Sequence, residues 1–184
     1  MRALLLIGTL LGASAAHADP GALLTQPVSG LDGKPLNLAA LKGQVVLLDL
    51  WATWCDPCRA SLPGYQALYE KLGPKGFSVV ALSVDEQAGD ARAFVERAGL
   101  KFPIGWDPKG AWPARLNLET MPTAWLLARD GSVAFVHPGF REGDLGTLEE
   151  KIAALLATPA PLQAPPTVTP PTVAPPTVAP PTQP

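Results

Sequence analysis

Between Gly43 and a tryptophan-rich turn the chain runs Val45-Val46-Leu47-Leu48-Asp49-Leu50, apolar at every position but one. Such a run has no solvent-facing side, so it predicts a central strand buried on both faces. Leu62, Tyr65, Leu68, Tyr69 and Leu72 then recur at spacings of three and four, which predicts an amphipathic helix over 58–72, kinked by Pro63. Phe77 to Val84 reads as a second buried strand, Ala91 to Ala98 as a short helix with Phe94 and Val95 inward, and Phe102 to Trp106 as a third strand. Asp130-Gly131 joins Thr123–Ala128 to Ser132–Val136 in a hairpin, and Asp32-Gly33 marks an earlier one. Leu145, Leu148, Ile152, Leu155 and Leu156 make one closing helical stripe. Strands alternating with helices indicate an α/β domain, a mixed sheet covered by helices on both faces, and about 135 residues is ample for one core.

The first strand runs into Trp51-Ala52-Thr53-Trp54-Cys55-Asp56-Pro57-Cys58, which holds both cysteines of the chain. Two thiols three positions apart close a ring too small to remove much chain entropy, so the pair is a poor structural staple. A closed zinc site needs four ligands, and His137 is the one histidine downstream of the pair. Reversible redox chemistry is what this spacing suits. Cys55, at the helix start, is the expected nucleophile, exposed and favoured as thiolate by the helix N-terminus. Cys58, one turn in, is the expected buried resolving thiol. Pro57 stands where the first turn needs no donor. Asp56 beside the attacking sulfur disfavours its thiolate, which points to a reductant rather than a disulfide donor.

Met1-Arg2, the apolar stretch Ala3 to Leu11 and Ala16-His17-Ala18 fit an export signal over residues 1–18, cleaved after Ala18. The apolar stretch falls short of the roughly 20 residues of a membrane span, so an uncleaved leader would serve only as an anchor. Net charge is −2, and −3 once Arg2 leaves with the signal, which suggests neither nucleic acid nor an acidic membrane surface as partner. From Pro159 the composition changes: Pro-Pro-Thr-Val recurs every five residues from Pro165, and half of the 22 prolines fall after Thr158. The expected organisation is therefore a signal over 1–18, a globular domain over 19–157 and an extended, disordered proline-rich tail over 158–184.

Trp51 to Cys58 resembles the W-x-x-W-C-x-P-C signature of thioredoxins, and Met121-Pro122-Thr123 resembles their cis-proline loop. The export signal, the lead-in from Gly30-Leu31-Asp32-Gly33 to Leu41-Lys42-Gly43, and Ser83-Val84-Asp85-Glu86 are similar to the TlpA/ResA-type exported thioredoxins. The resemblance covers roughly residues 25 to 156 and leaves the tail out. It implies a thioredoxin-like fold with an N-terminal β-hairpin and a βα insertion. It also implies a periplasmic monomer that reduces disulfides of exported proteins, apocytochromes c among them, and is recharged by a membrane thiol reductase. No cofactor is implied beyond the Cys55-Cys58 disulfide, and no metal.

Asp49 is a carboxylate inside an apolar run, costly to bury unless paired or protonated. By resemblance it falls where thioredoxins place a buried proton acceptor behind the second cysteine, whereas Glu86 falls where the TlpA/ResA type places its acid; both are expected to serve proton transfer to Cys58. Pro122, cis by resemblance, sets the Met121 backbone beside the pair as an edge for substrate. Of the two tryptophans, Trp54 is the expected exposed recognition residue and Trp51 the core one. His137 is expected to be solvated. Two other functions compete. Peroxidases of the same fold share Leu41-Lys42-Gly43, but their P-x-x-x-T-x-x-C pattern needs a proline at or near Asp49. A Cu(I) carrier suits two thiolates but lacks a third ligand.

Overall fold

The computed structural model describes residues 22–159, so the expected signal and all of the expected tail beyond Pro159 lie outside it. Six strands form one sheet in the order β1-β4-β3-β2-β5-β6. They are β1 Ser29–Gly30, β2 Val45–Trp51, β3 Phe77–Ser83, β4 Ile104–Trp106, β5 Thr123–Leu127 and β6 Val133–Pro138; the helices are α1 Asp56–Leu72, α2 Ala88–Ala98, α3 Ala111–Arg115 and α4 Asp144–Ala157. β2, β3 and β4 run parallel, while β5, β6 and β1 are antiparallel to their neighbours, so the sheet is mixed as expected.

β2 is central, and all seven of its residues are buried. Val45, Leu47 and Trp51 belong to a cluster with Leu62, Tyr65 and Leu68 of α1 and Leu148 and Ile152 of α4, against which Phe94 and Val95 of α2 also pack. Val46, Leu48 and Leu50 face the other way, into a cluster closed by Leu24, Val28 and Leu38 of the N-terminal segment and Trp112 of α3. The non-alternating sequence of β2 thus follows from two layers of cover.

Two local readings are corrected. The N-terminal hairpin is a tight loop, with Leu36 N–H on Val28 O and Gly30 N–H on Lys34 O, but only one ladder bridge, Ser29 to Pro35, joins its arms. The Lys34 N–H that would return the Gly30 bond donates to Asp32 Oδ1 at 3.0 Å, and β1 pairs with β4. Phe102 lies outside β4, which begins at Ile104 after Pro103. Pro63 lies inside α1, which continues to Leu72. The α3 turn was not expected at all: five residues containing Pro113 carry no helical period, and Asp107 starts it by accepting from Trp112 N–H at 2.7 Å.

Candidate active site

β2 ends at Trp51, the chain turns through Ala52–Trp54, and α1 begins at Asp56 with Cys55 as its cap. Cys55 Sγ accepts from Cys58 N–H at 3.3 Å, using one of the donors that every helix start leaves unpaired. The two cysteines form a disulfide with their Cα atoms 5.3 Å apart. Pro57 occupies the first turn, where its missing N–H costs nothing. Cys58 is fully buried, and Cys55, expected to be exposed, is only 7% exposed. The exposed residue of the motif is its neighbour Trp54, at 67%, while Trp51 is fully buried and tilted against Phe94. Asp56 is not a lone charge beside the sulfur: it pairs with Arg59, one turn on, at the surface. An exposed ion pair of this kind exerts a weak field, so Asp56 says little about the direction of the redox reaction.

β5 runs antiparallel to β2 with Leu50 opposite Thr123, which brings Met121 and Pro122 alongside the end of β2. The Met121-Pro122 bond is cis. Pro122 O accepts from Gly139 N–H at 2.7 Å, Thr123 Oγ1 donates to Thr120 O at 2.8 Å, and Met121 packs on the cluster that holds both cysteines. On the other side of the pair, Asp56, Pro57 and Ala60 form a groove of about 620 Å³ with Phe140 to Gly143 and Leu145. That loop is seated by Phe140 edge-on to Tyr65 and by Asp144, which accepts from Arg141 N–H at 2.6 Å. Asp144 also meets His137 Nε2 at 3.0 Å, so His137 is a half-buried anchor of the loop rather than a solvated residue.

Asp49 is fully buried, and neither of its oxygens has a hydrogen-bond partner among the described residues. Burial pushes its carboxyl well above the usual carboxylate range. It alternates with Leu47 and Trp51, whose side chains join the cluster containing Cys58. Tyr65 lies in the same cluster, also fully buried, with an unpaired hydroxyl. Burial raises its phenol above the usual range, and the Asp49 charge adds to this. Two buried polar side chains without hydrogen-bond partners among the described residues thus lie on the Cys58 side of the sheet. Tyr65 was legible as a core aromatic on the helical stripe; that its unpaired hydroxyl lies within reach of the Asp49 charge was not.

Glu86, expected to be half-buried near the thiol, is exposed. The buried acid is its neighbour Asp85, 2% exposed, whose carboxylate accepts from Thr53 and Ser83. β3 ends at Ser83, so its alternation does not decide this pair; Asp85 is the acid turned inward because Thr53 and Ser83 supply its donors. Glu86→Gln is accordingly expected to leave the rate and pH profile of the dithiol chemistry unchanged, which stopped-flow measurement of mixed-disulfide resolution checks. Among the described residues no three His, Cys, Asp or Glu side chains lie together as a metal site would require.

The AhpC/TSA family pattern matches residues 21–136. A thiol-disulfide oxidoreductase ResA of Bacillus thuringiensis is 38% identical over 106 residues, which are 58% of this chain and 61% of the relative. The ResA of Oceanobacillus iheyensis is 33% identical over 122 residues, covering 66% of this chain and 64% of its own. This chain therefore spans somewhat under two thirds of the length of the curated relatives it matches. A crystal structure from Chlorobium tepidum, provisionally described as a thiol:disulfide interchange protein DsbE, superposes with a TM-score of 0.68 at 40% identity, covering 71% of this chain and 92% of that one. The pattern crosses the cysteine pair and reaches β6, and the solved relative superposes over 71% of this chain, so the likeness extends well past the motif: the chain belongs to the AhpC/TSA family, as a ResA-like member with the thioredoxin fold.

Proposed function

We propose that the protein is an exported thiol:disulfide oxidoreductase that works as a reductant of disulfides in other exported proteins. The observation that carries this reading is the Cys55-Cys58 disulfide closed at the start of α1, on the same core face as a buried acid with no partner of its own. In the dithiol form the Cys55 thiolate attacks one sulfur of a substrate disulfide, forming a mixed disulfide and releasing a substrate thiolate. Cys58 then gives its proton to Asp49 and attacks Cys55 Sγ, so the substrate leaves with both electrons and the protein disulfide re-forms. The Met121 backbone and the exposed Trp54 flank the approach, and an extended substrate segment pairs there.

The reductive direction is supported by the surroundings of Cys55: its sulfur accepts one backbone N–H and, among the described residues, no hydrogen bond from a cationic side chain. Strong oxidants are those whose reduced thiolate is specially stabilised, and this site offers modest stabilisation. Periplasmic residence through the 1–18 signal, a membrane thiol reductase as electron donor, the monomeric state and a part in cytochrome c maturation belong to the same proposal, supported by the leader sequence and the ResA-like membership. The deciding experiment is turbidimetric insulin reduction run beside a peroxide turnover assay and a Cu(I) titration. Insulin reduction that needs both cysteines supports the reading; peroxide turnover without it would replace the reading with a thiol peroxidase.

The tail has no part in this chemistry. The apolar stripe of α4 ends with Leu155 and Leu156, both packed on the core, so a chain ending at Pro159 retains every described core residue. Its melting temperature is expected within about 2 °C of the full chain, a change worth well under 1 kcal/mol for a domain of this size, and its insulin reduction is expected to be equal. A larger fall in thermal melts would assign the tail a packing role.

A further inference from the structure

The turn that presents the nucleophile is tied to the sheet through one side chain. Thr53, two residues before Cys55, directs its backbone N–H at both carboxylate oxygens of Asp85, 3.0 and 3.1 Å away, and its hydroxyl at one of them, 2.7 Å away. The other oxygen also accepts from Ser83 Oγ at 2.8 Å. Asp85 is clamped in turn: its N–H donates to Ser83 Oγ at 3.1 Å, and its carbonyl accepts from the Trp106 indole at 2.8 Å. Ser83 and Asp85 are both buried. A carboxylate is left in such a place only when donors converge on it, and here they all do, whereas Asp49 has none. The flanks of the turn are fixed by Val84 N–H on Trp51 O at 2.9 Å and Arg59 N–H on Cys55 O at 3.0 Å, and Ala52 is buried. Between them Cys55 N–H on Ala52 O at 3.2 Å is the other hydrogen bond described, Trp54 projects into solvent, and Asp85 is what holds Thr53.

We propose that Asp85 is the positioning residue of the dithiol site: by holding Thr53 it fixes the approach of Cys55 to Cys58 and so sets how readily the pair closes. This rests on the reading of Cys55 and Cys58 as a working redox pair. Closure is an intramolecular step, and its advantage over reaction with a free thiol grows with how far the two sulfurs are held in place beforehand. The strut from β3 and β4 to Thr53 supplies that order. In exchange with glutathione, the protein disulfide and two glutathione thiols give the protein dithiol and one glutathione disulfide, two electrons and two protons passing to the protein. Loosening the turn lowers the effective concentration of one protein sulfur for the other and shifts this equilibrium toward the dithiol.

The test equilibrates full-length wild type, Asp85→Ala, Asp85→Asn and Thr53→Val with glutathione buffers at one pH and reads the dithiol fraction by alkylation and mass spectrometry. Asp85→Ala is expected to favour the dithiol about tenfold, equivalent to about 30 mV. Thr53→Val, which loses only the hydroxyl bond, is expected to move it about threefold. Asp85→Asn keeps an oxygen acceptor for Thr53 and should lie nearer wild type than Asp85→Ala does. A residue that served stability alone would lower the melting temperature and leave the equilibrium of the folded variants in place. The proposal is overturned if Thr53→Val and folded Asp85→Ala stay within twofold of wild type, or if Asp85→Asn shifts as far as Asp85→Ala, which would make charge rather than position the cause. Should Asp85→Ala fail to fold, Thr53→Val decides. Glutathione exchange involves no protein substrate, so a wild type inactive on insulin would sink the proposed function and leave this inference standing.

Discussion

Cys55→Ser is expected to abolish disulfide reduction, and Cys58→Ser to trap substrate on Cys55. The attacking sulfur belongs to the helix cap, where Cys58 N–H already points at it, so removing it leaves no nucleophile and a loss on the order of 10³-fold or more. Removing Cys58 leaves that nucleophile intact but takes away the internal thiol that clears it, so the mixed disulfide has only slow external thiols to release it. Non-reducing gels of the two variants incubated with a disulfide-bonded protein give the answer directly. Adducts should accumulate with Cys58→Ser and be absent with Cys55→Ser; the opposite pattern would exchange the two roles. The burial contrast, 0% for Cys58 against 7% for Cys55, is small, which is why the trapping pattern and not exposure carries the assignment.

Asp49→Asn is expected to move function and stability in opposite directions. As proton acceptor for Cys58 its loss should slow resolution about 10²-fold, and the rise of the rate with pH that tracks the Asp49 carboxyl should vanish. Stability follows from linkage. Burial raises the folded-state value well above 3.8, so the folded protein holds a proton that the unfolded chain gives up. The stabilisation this brings is fully present below the unfolded value and is lost as pH rises through the folded one, at about 1.4 kcal/mol per pH unit across that window. Asn, which does not ionise, escapes that loss. The variant should therefore melt higher than wild type at neutral pH, and the gap should close on acidification toward pH 4. Calorimetry across pH 4–8 with stopped-flow resolution rates checks both; overlaid rate profiles would leave Asp49 a purely structural oddity.

Much of this was legible in the residues. The unbroken apolar run of β2 announced two layers of cover, the Asp130-Gly131 turn placed the β5-β6 hairpin, and the i, i+3, i+4 stripe of α1 put Cys58 and Tyr65 on one inward face. What was not legible depended on partners far along the chain or on single atoms. Asp85 and Glu86 are chemically alike in sequence; only the donors of Ser83 and of Thr53, 32 positions away, decide which one turns inward. His137 looked like a loop residue because Asp144, its partner, starts a different element. Asp56 was read without Arg59, although their spacing of three on a helix is a pairing distance. α3 is too short for any periodic signal, and the N-terminal hairpin stops at one bridge with the Lys34 N–H turned to Asp32 inside its loop.

The placement of Asp49 on β2 has a kinetic corollary. A strand paired on both sides, with every residue buried, is the part of a domain whose amides exchange with heavy water only when the whole molecule unfolds. Local breathing therefore offers the carboxyl no contact with solvent on the timescale of catalysis. On the proposed role, the proton that Asp49 takes comes from Cys58, and the carboxyl has no hydrogen-bonded partner among the described residues to pass it to. In that role, proton release from Asp49 is tied to the redox cycle itself, and a slow solvent-isotope response of the resting oxidised protein, beside a fast one during turnover, is the signature expected of it.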